Sequence, residues 1–241
     1  MTTDIRNIVI LTGAGVSVES GLPAFRTVNG RMGWDTGLTV HPLEDVATPE
    51  AFARNPALVQ RFYDLRRAQL NEVEPNAAHR ALARLDAEWA GELLIVTQNV
   101  DDLHERAGAR RLLHMHGELR SAWCLACDAR THWEADLSGD PPCPACGVAG
   151  GLRPDIVWFG EMPYDMERID AAVRDADLFV SIGTSGAVYP AAGFVQTARY
   201  CGARTLEMNL DPSLGSVYFG ETRTGAASSL VPAWVAEMLE G

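Results

Sequence analysis

Ile8-Val9-Ile10-Leu11-Thr12-Gly13-Ala14-Gly15-Val16-Ser17-Val18-Glu19-Ser20-Gly21-Leu22-Pro23-Ala24-Phe25-Arg26 is the stretch on which the reading of this chain turns. Its apolar start, with no polar alternation, makes a strand buried on both faces, as in a parallel sheet. Thr12-Gly13-Ala14-Gly15 then turns the chain tightly at the strand's carboxyl end, so a Rossmann-like unit begins here. The loop lacks the full G-x-G-x-x-G spacing. Its glycines alone leave two readings open: backbone amides approaching a pyrophosphate, or a structural turn. Arg26 shifts the balance toward a ligand, because a cation so close to a phosphate loop pairs with what the loop binds.

Further runs of the same kind follow at Leu93-Leu94-Ile95-Val96, Ile156-Val157-Trp158-Phe159, Leu178-Phe179-Val180-Ser181-Ile182 and Thr205-Leu206-Glu207-Met208-Asn209. Helical stretches separate them, including Pro75 to Ala90, Arg168 to Asp175 and Ala191 to Cys201. This alternation predicts an α/β, Rossmann-like, doubly wound parallel sheet with its ligand crevice at the carboxyl ends of the strands. Two segments interrupt it: 36–71, helical after Pro49, and the cysteine- and proline-rich 121–150. The expected division is therefore a Rossmann-like domain of 1–35, 72–120 and 151–241, with a helical insertion (36–71) and a zinc ribbon (121–150) forming a small domain.

Composition narrows the class of partner. At 241 residues and a formal charge of −12, the chain lacks the basic face by which duplex nucleic acid is bound, so no nucleic-acid partner is expected. All 20 basic residues counted as Lys or Arg are arginine, so apart from the N-terminal amine the protein offers no amine for acylation. There is no basic segment followed by an apolar run at the start and no stretch of about 18 uncharged apolar residues. A soluble, cytoplasmic monomer with no membrane partner is expected.

The most specific local signal is Cys124-Leu125-Ala126-Cys127 followed, after fifteen residues, by Cys143-Pro144-Ala145-Cys146. Two knuckles of this spacing offer four thiolates to one tetrahedral zinc with no open position, which makes the metal structural. Cys201 lies outside the pattern and reads as a buried small hydrophobe. Thr97-Gln98-Asn99-Val100-Asp101-Asp102-Leu103-His104 follows a strand end. It reads either as a helix cap built on Asn99 or Asp101, or as amides and a carboxylate arranged around a sugar and a water. In His114-Met115-His116-Gly117 each histidine is a hydrogen bonder or a general base, whereas His41, His79, His104 and His132 carry no motif. Tyr63 and Arg66 share a helix face at i, i+3, which on its own is an ordinary solvated face; Arg67 beside them is expected to be nearly neutral for acyl choice.

Taken in order, these motifs resemble the sirtuin family across nearly the whole chain: the Gly13 to Arg26 loop, Thr97 to Asp101, His116-Gly117, the cysteines, Val157-Trp158-Phe159-Gly160-Glu161, Gly183-Thr184-Ser185 and Asn209. Tyr63-Asp64-Leu65-Arg66 is similar to the Y-x-x-R motif of the class III branch, which contains desuccinylases and bacterial deacetylases. Thr27 to Pro42 is longer than in the bacterial relatives. The resemblance implies NAD bound by Gly13, Ala14, Gly15, Phe25, Arg26, Gln98, Asn99, Asp101, Gly183, Thr184, Ser185, Asn209, Leu210 and Ala227. It implies catalysis by His116 as general base with Asn99 and Arg26, and an acyl-lysine strand held near Val157, Gly160, Glu161 and Val188. The implied activity is removal of succinyl, malonyl, glutaryl or acetyl groups from protein lysines, Tyr63 and Arg66 meeting an acidic acyl chain. The alternatives are a deacetylase-dominant relative, an ADP-ribosyltransferase on the same scaffold, and a zinc-ribbon binding module.

Overall fold

Strand β1 (Asn7–Thr12) is central because both of its faces are apolar: Ile8 and Ile10 enter one core layer, Val9 and Leu11 the other. The structure, a computed structural model, describes residues 5–23, 26–28, 31–35 and 40–240, of which 26–28, 31–35, 40, 41 and 43 are described by backbone alone. After β1 come α1 (Gly15–Val18), β2 (Arg26–Val28), β3 (Arg31–Asp35), β4 (Val40–Pro42), α2 (Leu43–Val46), α3 (Pro49–Arg54), α4 (Pro56–Gln69) and α5 (Ala77–Glu88). Then follow β5 (Glu92–Thr97), α6 (Leu103–Ala107), β6 (Leu112–His114), β7 (Gly117–Cys124), β8 (Arg130–His132) and β9 (Leu152–Ile156). The chain closes with α7 (Met166–Asp175), β10 (Leu178–Ile182), α8 (Phe194–Tyr200), β11 (Arg204–Asn209), β12 (Glu221–Thr224) and α9 (Ala227–Glu240).

The main sheet has the order β12-β11-β10-β1-β5-β6, and every pair in it is parallel. Winding runs outward from β1 through β5 to β6, then resumes on its other side at β10, so the topological switch lies between β1 and β10. One face is covered by α5 and α9 through Leu82, Leu85, Trp234 and Val235; the other by α7 and α8 through Ile169, Val173, Phe194 and Val195. Helix α5 starts where Asn76 accepts from the amides of Ala78 and His79, while the His79 ring returns a bond to the Asn76 amide. A cap of this kind contributes about 1 kcal/mol.

The expected small-domain parts are both present, and α4 joins them. Asp64 accepts from the amides of Leu137 (2.8 Å) and Ser138 (2.9 Å), and Arg67 donates to the carbonyls of Leu119 and Ala135. Arg67 is 2% exposed and paired with Asp64 at 2.8 Å, so it ties the helix to the ribbon, a structural role the sequence did not signal. The ribbon sheet, order β8-β7-β9, spans 117–156, wider than the segment marked by its cysteines.

Two expectations are corrected, on Ile156 to Phe159 and on Cys201. The run Ile156 to Phe159 does not enter the parallel sheet: β9 ends at Ile156 and pairs antiparallel with β7, and the Val157 amide donates to the His116 carbonyl. Thr27 to Pro42 contains an antiparallel sheet, β2-β3-β4. Cys201 is exposed, because it follows α8 at a turn and no core layer reaches it. Among the described residues, no helix is long and apolar enough to cross a membrane.

Candidate active site

The parallel strands end in a common rim. Thr12 Oγ1 donates to Thr97 Oγ1 at 2.9 Å across the ends of β1 and β5, and Gly13 N and Gly15 N donate to the carbonyls of Ile182 and Gly183 beyond β10. A Cβ on Gly15 would lie 2.7 Å from the Gly183 Cα, so glycine is required here for the two loops to touch. The structural-turn reading of this loop is thus correct for Gly13 and Gly15, whose amides are already used. Among the described residues only the amide of Ala14 within this triplet keeps no partner.

Above the rim lies a cavity of about 690 Å3, walled by Gly13, Ala14, Gly15, Gln98, Asn99, Asp101, His116, Gly183, Thr184, Ser185, Asn209 and Leu210. Tyr63, Arg66, Val157, Gly160, Glu161 and Val188 line the same cavity. Of the sequence-predicted site residues, Ala227 begins α9 and is not on this wall. Phe25 lies outside the described residues, and Arg26 is described by backbone alone, paired with Gly33.

Beneath the wall runs a buried polar network. Asn99 Nδ2 donates to the Gly13 carbonyl (3.2 Å) and to Ser17 Oγ (3.1 Å), which leaves its Oδ1 to face the cavity side as an acceptor. Ser17 Oγ donates to Asp101 (3.0 Å), whose other oxygen accepts from the Leu103 amide at the start of α6. Asp101 thus satisfies one amide at the start of α6, whose N-cap is Asp102 without a side-chain bond, and Asn99 satisfies none there. Burial raises the Asp101 pKa, against the pull of those two bonds.

His116 and His114 clamp the same loop from one strand end. Nδ1 of His116 lies 3.1 Å from the Gln98 carbonyl; since a carbonyl only accepts, Nδ1 carries the proton and Nε2 the lone pair. Burial lowers the His116 pKa, partly offset by that bond, so the ring is neutral and basic at neutral pH. His114 differs. Its Nδ1 meets the Asn99 carbonyl at 3.0 Å and its Nε2 meets Glu105 at 2.6 Å; burial alone would lower its pKa, but the Glu105 bond and charge raise it to about 9. Gly117 follows His116 at φ +80°, where a Cβ would lie 2.0 Å from the Asp155 carbonyl, so the sharp turn that aims His116 requires glycine.

Sequence reasoning missed several supports of the site. His104 Nε2 lies 3.0 Å from Thr12 Oγ1, His79 Nε2 3.4 Å from Ser17 Oγ, and the two rings meet edge to face at 4.9 Å. Burial lowers the pKa of both, that of His79 to about 4. Isolated histidines carry no spacing signal that would have marked them. Glu161 pairs with Arg153 at 2.7 Å and accepts from the Trp158 amide, so it braces the cavity wall.

In the ribbon, Cys124 Sγ lies 3.8 Å from Cys146 Sγ and Cys127 Sγ 3.8 Å from Cys143 Sγ, all four sulfurs falling within 4.8 Å. A disulfide would bring two sulfurs to about 2.05 Å. A zinc tetrahedron with bonds of about 2.3 Å has edges of about 3.8 Å, so these thiols fit the metal.

The comparisons with known proteins decide the family. Residues 13–190 match the Sir2 family model. The chain belongs to the Sir2 family. This Sir2 chain is 56% identical over 237 residues to an NAD-dependent protein deacylase of Bdellovibrio bacteriovorus, covering 98% of this chain and 97% of that one. It is 54% identical over 240 residues to one of Leishmania major, covering 98% and 96%. Among solved structures, a Sir2 homologue in complex with NAD superposes with a TM-score of 0.88 at 35% identity, covering 99% and 91%. Sir2 bound to acetylated peptide superposes at 0.81 and 25% identity, covering 98% and 94%.

Proposed function

We propose that this Sir2 chain is an NAD-dependent protein deacylase that removes acyl groups from lysine side chains and favours acidic ones, succinyl above all. The observation that carries the acyl preference is that Tyr63 and Arg66, three residues apart on α4, both line the cavity that holds His116. Tyr63 is 2% exposed, and burial raises its pKa to about 12 against the opposing charge of Arg66, so it is a protonated donor at any working pH. A carboxylate entering this cavity loses water, a cost offset only by a fixed partner, and the charge of an arginine guanidinium such as that of Arg66 is such a partner.

When bound, NAD supplies an electrophilic anomeric carbon with nicotinamide as leaving group. The chain's own residues do the rest. In this reading the Ala14 amide and the Gly183, Thr184, Ser185 and Asn209 side of the cavity receive the adenosine half. Asn99 Oδ1, Gln98 and Asp101 hold the ribose, and His116 Nε2 takes a proton from a ribose hydroxyl. Asp101 accepts from Ser17 and from the Leu103 amide, which fixes its carboxylate at the cavity wall where the ribose would meet it. An extended substrate fits between Val157 to Glu161 and Ala187 to Tyr189, reading main chain and leaving sequence loosely specified. The proposal keeps the four-cysteine site for one structural zinc and extends to a cytoplasmic monomer that binds no nucleic acid.

The test is Arg66→Met assayed on matched acetyl- and succinyl-lysine peptides. We expect desuccinylation to lose ~2 to 5 kcal/mol in apparent transition-state binding while deacetylation changes little. Equal losses on both peptides would make Arg66 structural and remove the acidic preference.

A further inference from the structure

The ribbon and the cavity lining at Tyr63 are joined by a stack of rings and guanidiniums. Trp123 in β7 and Arg153 in β9 are register partners, and Trp123 directly precedes Cys124. The guanidinium carbon of Arg153 lies 5.0 Å from the centroid of the Trp123 ring and 3.4 Å from that of Trp158; Arg130, beyond Cys127, lies 4.6 Å from the Trp123 ring. Arg153 is 3% exposed. Its in-plane N–H groups are committed to both oxygens of Glu161 (2.7 and 3.0 Å) and to the Ile156 carbonyl (2.7 Å), which leaves the flat faces for the rings.

Trp158 is fixed at three points as a result. Arg153 stacks on its ring, Glu161 accepts from its main-chain amide at 2.8 Å, and its Nε1 donates to the Tyr63 hydroxyl oxygen at 3.0 Å. The last bond decides how Tyr63 works. With a lone pair occupied by the indole N–H, the phenol cannot donate back along that line, so its proton is directed elsewhere.

We infer that Arg153 is a specificity-determining positioning residue. Through Trp158 it orients the Tyr63 hydroxyl toward a charged acyl chain, and through Trp123 it makes acyl choice depend on the cysteine ribbon. The inference rests on the acyl preference proposed above. An acetyl group brings no carboxylate and draws nothing from the Tyr63 proton, whereas a succinyl carboxylate does.

The experiment measures kcat and KM for acetyl- and succinyl-lysine peptides in the wild type, Arg153→Lys, Trp123→Leu and Arg66→Met, with Tm for each. Arg153→Lys keeps a charge for Glu161 but loses the planar face. We expect its succinyl kcat/KM to fall roughly tenfold, mainly through KM, with the acetyl value within about twofold; Trp123→Leu should lower the succinyl value about threefold and leave the acetyl value nearly unchanged. A merely structural role would lower both substrates together. Equal losses on the two peptides, or no loss on either, while Arg66→Met remains selective, overturn the inference and leave the acyl reading standing. A non-selective Arg66→Met removes that reading and this inference with it. Should Arg153→Lys fail to fold, the succinyl-to-acetyl ratio in Trp123→Leu, at a half-buried ring, decides by the same criteria.

Discussion

His114 and His116 flank Met115 at one strand end and hold adjacent carbonyls, those of Asn99 and Gln98, yet their surroundings push their protons in opposite directions. Among the described residues no carboxylate bonds to His116, and burial keeps it neutral. We expect His116→Ala to lower turnover by ~10² to 10⁴ with Tm unchanged, the usual worth of a positioned base. His114 is paired with Glu105, and its folded-state pKa is raised from an unfolded value of 6.5 to about 9. A raised pKa stabilises the fold fully below the unfolded value, and that stabilisation is lost as pH rises through the folded one. Thermal melts should therefore show Tm declining between pH 7 and 9.5 more steeply in the wild type than in Glu105→Gln. Parallel profiles would show that the pair does not contribute, and Glu105, with 40% of its side chain exposed, limits the size of the effect.

Helix α4 shows how far an element can be read from its sequence. Its helical character and its Tyr63 and Arg66 face were legible, because the i, i+3 spacing is local, whereas its start at Pro56, apart from α3, was not. The role of Arg67 was not, because the partners that bury it, Leu119 and Ala135, lie 52 and 68 residues away. We expect Arg67→Met to cost about 3 to 5 kcal/mol in chemical denaturation, since it leaves Asp64 buried without its ion pair. The same logic separates the elements that were legible from those that were not. Strands β1, β5 and β10 announced themselves as nearly continuous apolar runs, being buried on both faces. The run at Ile156 looked alike but ends an antiparallel ribbon strand, because pairing partners are a property of the fold and not of the run. Likewise, the cysteine knuckles were legible through spacing alone, whereas His79, His104, Ser17 and Arg153 acquire meaning only through contacts distant in sequence.

At the scale of the molecule, charge is the property with the widest reach. The formal charge of −12 and the absence of lysine among the 20 basic residues give a surface that attracts basic polypeptide and offers almost no amine of its own. Long-range attraction of this kind is screened over about 8 Å at physiological salt. For acyl-peptides with arginine flanks, kcat/KM should thus fall several-fold as ionic strength rises from about 0.05 to 0.5 M, while peptides with neutral flanks stay level. Identical salt profiles would mean that the surface charge does not steer substrates. The contact between the first glycine loop and Gly183 has a different kind of consequence. Because the amides of Gly13 and Gly15 are satisfied within the protein, the loss of backbone freedom at the cavity floor is completed during folding, before any ligand arrives. The floor is preorganised, and a ligand settling on it spends none of its affinity on freezing those residues.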